Sequence, residues 1–163
     1  MSGWRAMTER DLSDVVAISD AVHGVFTEPR AVFAERLALY PEGCRIFEAD
    51  GSVGGFLVTH PWHDGAVPKI GALLGALPDA PSVYYLHDIA LLPVTRGKGA
   101  GGVAMAFVLG QAAAAGCETI RLVAVNGADS YWAAQGFAYA DAEGEGPYGP
   151  GSYLMARSVQ SAC

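Results

Sequence analysis

The stretch LLPVTRGKGAGGVAMAF, residues 91–107, carries the end of an apolar run, a proline, two cations and four glycines directly into an alanine-rich helical pattern. A strand that runs into Gly97, Gly99, Gly101 and Gly102 and then into a helix leaves several backbone N–H groups unpaired at the positive end of the helix dipole. Such a place suits an anion, because glycine lets a phosphate approach the main chain and Arg96 and Lys98 add charge at the rim. The plainer reading of the same letters is a turn that caps a tightly packed helix. Two nucleotide-binding loops are excluded by spacing. A P-loop needs Ser or Thr after its lysine, whereas Lys98 is followed by Gly99; a dinucleotide fingerprint follows the first strand, whereas this loop lies past the middle of the chain.

Outward from the loop, SVYYLHDIALLP (82–93) reads as a buried strand ended by Pro93, and GGVAMAFVLGQAAAAG (101–116) as a helix closed at Gly116. TIRLVAV, FAYA and SYLMARSV read as strands, with a short helix in ADSYWAAQ stopped at Gly136. Upstream, a short strand around residues 4–7 precedes a helix whose N-cap is Thr8, with Asp11 in the capping-box position and Leu12, Val15 and Val16 on one face. A second helix spans about 29–40, opening on Pro29 with Val32, Phe33, Leu37 and Tyr40 inward. CRIFEADGSVGGFLVTH (44–60) reads as two strands joined at Asp50-Gly51. The long connection 61–81 holds IGALLGAL, which predicts a short helix, because structureless loops of that length are uncommon. The result is one α+β domain over residues 1–163 with a mixed sheet.

Composition narrows the function. The chain has 163 residues, 52% of them hydrophobic and 17% charged, which suits a globular domain able to bury its own core. A net charge of −7 argues against a nucleic-acid partner, which needs clustered Lys and Arg. Cys44, Cys117 and Cys163 are odd in number and far apart, so they read as reduced thiols rather than a disulfide frame or zinc site. The start MSGWRAMTERDL is polar too early for a signal peptide, and no apolar run spans a bilayer; a cytoplasmic protein without a membrane partner is expected.

RGKGAG (96–101) resembles the R/Q-x-x-G-x-G/A motif of the GNAT superfamily of N-acetyltransferases. DIALLP before it and NGADSYWAAQGF (126–137) after it resemble the neighbouring segments of that family in the same order. The resemblance implies acetyl-CoA as cosubstrate, with its diphosphate on Gly97, Lys98, Gly99, Ala100, Gly101 and Gly102 beside Arg96, and its pantetheine arm along the main chain of Ile89, Ala90 and Leu91. It also implies a contact from Asn126 and a small-molecule or peptide amine as acceptor; Trp132 is read as a further cofactor contact, and a homodimer as the candidate assembly. A CoA-binding sensor without activity and a transferase of longer acyl groups remain as alternatives.

Acetyl transfer needs a base for the amine, polarisation of the carbonyl and a proton for the thiolate. On a regular strand Tyr85, His87 and Ile89 share one face and Asp88 lies on the other. His87 is the candidate base, since an imidazole titrates nearer neutrality than a carboxylate, and family members resembling the arylalkylamine acetyltransferases carry a histidine there. A satisfied core histidine is the other reading, and Asp88 is the competing base. The family's usual tyrosine acid is replaced by Trp132, whose indole gives no proton; Tyr131 lies about 100° round the helix and is either core or catalyst. Asn126 serves equally as an N-cap. THPWHDG (59–65) places His60, Trp62, His63 and Asp64 together, read as a polar turn rather than a metal site, with Trp62 and Tyr85 toward the acceptor.

Overall fold

A computed structural model describes residues 2–140 and 146–160. Cys163 lies outside them. The elements follow in the expected order: β1 Gly3–Ala6, α1 Leu12–His23, α2 Arg30–Leu39, β2 Cys44–Ala49, β3 Ser52–Trp62, β4 Val83–Leu91, α3 Ala100–Ala114, β5 Thr119–Ala124, α4 Asp129–Ala134, β6 Ala138–Tyr139 and β7 Tyr153–Ser158. They build one sheet in the order β1-β2-β3-β4-β5-β7-β6, antiparallel throughout except between β4 and β5. No helix among the described residues is long and apolar enough to cross a membrane.

Local chemistry explains most boundaries. The Thr8 N–H donates to Asp11 Oδ2 at 2.8 Å, so the shorter acid completes the capping position, and Arg5 grips the same carboxylate through two 2.8 Å bonds. Asp50 and Gly51 both take positive φ, 54° and 82°, as the tight β2–β3 hairpin demands. Apolar side chains pack both faces of the sheet. Leu12, Val15, Phe33 and Phe56 form a core under α1 and α2, and Leu86, Val108, Ile120 and Trp132 form one under α3 and α4.

Two expectations are corrected. Residues 70–77 form no helix, because their main chain is bound from α2 and the segment before it: Glu28 accepts from the Gly71 N–H, Glu35 from those of Leu74 and Gly75, and Arg36 donates to the Ala72 carbonyl. Carboxylates thus replace the bonds a helix would supply. The face assignment on β4 also fails beyond His87. Asp88 is paired with Val58 and Leu86 with Thr59, so His87 is the extra residue of a β-bulge. The bulge keeps Tyr85 and His87 together, turns Asp88 to their side toward α1, and sends Ile89 into the α3 core.

Candidate active site

The parallel contact between β4 and β5 is short. Only Tyr84 and Tyr85 of β4 pair with Ile120 and Arg121, after which the two strands diverge. From Leu86 to Leu91 the β4 main chain therefore has no strand partner on the β5 side. A cavity of about 670 Å³ fills the gap, lined by β4 residues 86–91, the glycine loop, Val123 and Val125 after the divergence, and the connection between α1 and α2.

At one end lies the loop. Gly97 and Gly99 have φ of 77° and 78°, and a β-carbon added at either would meet nothing within 4 Å. That open left-handed cradle at the start of a 15-residue helix fits a phosphate-bearing group. Gly97, Gly99, Ala100, Gly101 and Arg96 line the cavity, whereas Lys98 and Gly102 are exposed outside its lining. Arg96 folds back, its Nε donating to the Leu91 carbonyl at 3.0 Å. Ile89, Ala90 and Leu91 form the adjoining wall.

At the opposite lip, Asn126 takes positive φ (55°) and donates its side-chain amide to the His23 carbonyl at 3.1 Å. It is not the N-cap of α4, a position held by Ala128. Trp132 touches the cavity with an otherwise buried ring packed edge-on against Phe137. Tyr131 is no core residue: it is 46% exposed, lines the cavity and lays its hydroxyl over Gly101, where a β-carbon would come within 2.6 Å of it.

The other end carries two histidine–carboxylate pairs. His87 Nε2 lies 2.7 Å from Glu28 Oε1, close but not aligned as a directed hydrogen bond, with the imidazole wholly out of solvent. Burial alone would raise the Glu28 carboxyl; His87, the Gly71 amide and Arg36 outweigh it and hold the group below the usual carboxylate range. His23 Nε2 lies 2.6 Å from Asp88 Oδ1, and here burial favours the neutral ring but Asp88 prevails and raises it. Tyr148 joins them, its hydroxyl 3.4 Å from that of Tyr85 and pushed up to about 12 by burial.

The two residues expected at the acceptor do not line the cavity. Tyr85 is fully buried and adjoins it through His87 and Tyr148, which line it. Trp62 ends β3 stacked on His63, with ring centroids 4.6 Å apart. His60 is buried in the sheet and held neutral, at about 3, chiefly by desolvation. The sequence reading missed His23, Glu28 and Tyr148. Its available signal was the cluster of polar letters in AVHGVFTEPR (21–30), between a helix-stopping Gly24 and Pro29, and the lone aromatic of the GPYGPG turn.

A family model described as the acetyltransferase (GNAT) family matches residues 12–137. Among solved structures, the loading GNATL domain of CurA from Lyngbya majuscula superposes with a TM-score of 0.80 at 16% identity, covering 98% of each chain. Ard1 from Thermoplasma volcanium gives 0.76 at 18% identity, covering 98% of this chain and 99% of the other. An N-acetylglutamate synthase from Neisseria gonorrhoeae, complexed with coenzyme A and N-acetyl-glutamate, gives 0.72 at 16% identity over 99% of this chain and 36% of its own. No curated protein matches the chain.

Proposed function

Because the chain belongs to the GNAT family of acetyltransferases, we propose that it transfers an acetyl group from acetyl-CoA to a primary amine of a small molecule or peptide. Transfer is direct, in a ternary complex. The observation that carries this reading is the single cavity that joins a glycine cradle, an unpaired strand edge and a buried histidine–carboxylate pair. When bound, acetyl-CoA supplies an activated thioester. The amides of Gly97, Gly99 and Gly101 hold its diphosphate, and the free main chain of Ile89 and Ala90 aligns the arm beside His87. The N-acetylglutamate synthase relative, complexed with coenzyme A, supports the assignment of the ligand class.

His87 is the base in this reading. Glu28 faces its Nε2 and fixes the ring, which leaves Nδ1, buried and without a partner among the described residues, to take the amine proton directly or through one water. The acceptor end carries Val22 and Phe26 beside Glu28 and Asp88, a mixture that favours an amine with an apolar neighbour. Thiol release from acetyl-CoA over a panel of amines tests the reading. Release above the no-protein control for at least one amine is expected; CoA binding without release for any amine would leave a sensor, and faster release from longer acyl-CoA thioesters would change the donor.

A further inference from the structure

The family's usual proton donor is missing, since Trp132 stands in its place, yet the cavity contains a second imidazole that the transfer above does not use. His23 is the last residue of α1, where the helix C-terminus favours a cation. Asp88 of β4 holds its ring at Nε2, 2.6 Å away, and Asn126 of the opposite lip bonds its main-chain carbonyl. Asp88 stands between His87 and the main chain of Ile89 and Ala90, which has no strand partner on the β5 side, so the pair sits between the acceptor end and the thioester strand. The side chains of His23 and Asp88 remain 14% and 10% exposed, enough for exchange with solvent, whereas the His87 ring has none.

We propose that His23, oriented by Asp88, donates the proton taken up by the departing CoA sulfur. This rests on the transferase reading. As the amine nitrogen bonds to the acyl carbon, the carbon–sulfur bond breaks and the sulfur leaves with the electron pair. The Nδ1 proton of the His23 imidazolium passes to sulfur, while Nε2 keeps its proton on Asp88. The amine's own proton goes to His87, and after product release His23 regains its proton from solvent directly while His87 loses its own through the water entering the vacated acceptor end. Asp88 on β4 and Glu28 before α2 set the protonation of His23 against burial, and His87 and Tyr148 line the same cavity. Burial favours the neutral ring, and Asp88 overrides it and raises His23 above the usual imidazole range.

The test needs no turnover. Free CoA is bound to the protein and its thiol is titrated by thiolate absorbance. A nearby imidazolium lowers the bound thiol by about one pH unit relative to CoA in solution. In His23→Gln the shift disappears, and in Asp88→Asn, which leaves the ring but removes its counter-charge, it shrinks. An identical titration in wild type and in a folded variant that binds CoA overturns the proposal, and Asp88→Asn decides the matter if His23→Gln does not fold. Kinetics add a second reading: His23→Gln lowers kcat roughly a hundredfold at unchanged KM for acetyl-CoA and loses the fall of kcat at high pH. Wild-type protein that acetylates no amine would sink the transferase reading, while the thiol titration would still judge His23.

Discussion

At the scale of single residues, the imidazole of His87 and the carboxylate of Glu28 form a unit, so each substitution tests the other. His87→Ala removes the proposed base and is expected to lower kcat/KM by roughly a hundredfold while CoA affinity stays within about twofold. Glu28→Gln keeps the shape and the acceptor for the Gly71 amide but loses the charge, so a smaller loss, about tenfold, is expected. Steady-state kinetics with equilibrium CoA binding separates the two, and a His87→Ala enzyme with wild-type turnover would reduce this histidine to a packed strand residue. Tyr131 needs its own control. Its exposed hydroxyl lies over the loop rather than beside the histidines, so Tyr131→Phe is expected to cost less than about tenfold in kcat. A loss on the order of a thousandfold with folding intact would make Tyr131 the acid and displace His23.

Among the elements, the β1–α1 junction is the clearest case of sequence dictating structure. Arg5 hydrogen-bonds the Asp11 carboxylate and, against partial burial, lowers it to about 2. A group depressed in the folded state stabilises above its unfolded value of about 3.9 and loses that contribution as pH falls through the folded value. Asp11→Ala should therefore destabilise by roughly 1–2 kcal/mol at pH 7, discounted because Arg5 is 36% exposed, with the gap closing between about pH 4 and 2 in denaturant titrations. A constant gap across that window would make the loss one of packing alone. This junction was legible because Thr8 and Asp11 are three apart. The order of strands and helices was legible for the same reason, since periodicity and glycine are local signals. The bulge at His87 was not, because nothing in YYLHDIAL interrupts the alternation; the irregularity exists only in the register against β3. Nor was the course of residues 70–77, whose bonds come from Glu28 and Glu35 more than 30 positions earlier. His23 and Tyr148 were lost likewise, since only the packing of α1 and of the turn before β7 against β4 brings them to the cavity.

For the molecule as a whole, the divergence of β4 and β5 leaves a cleft between its two wings. On one side stand β1 to β4 with α1 and α2, on the other β5 to β7 with α4, and direct strand pairing joins them through two residue pairs. A ligand lying along β4 between the glycine loop and Asn126 would connect these wings, so its binding should stabilise the whole fold. At a hundredfold excess over Kd, acetyl-CoA is expected to add about 2.7 kcal/mol to the unfolding free energy and to raise Tm accordingly. Gly99→Val tests the loop's part in this. The residue has a φ of 78° and an added β-carbon meets no protein atom within 4 Å, so the variant's main cost is conformational, on the order of 1–3 kcal/mol. Its side chain then stands where the proposed function places the diphosphate, and the stabilisation by acetyl-CoA is expected to be lost even though the protein folds. Gly102→Ala is the matched control: the position is exposed, in helical backbone and outside the cavity lining, so stability should hold or rise and the ligand shift should persist. Thermal unfolding of the three proteins with and without acetyl-CoA reads both quantities together, and a folded Gly99→Val protein that keeps the full shift would move the ligand off this loop.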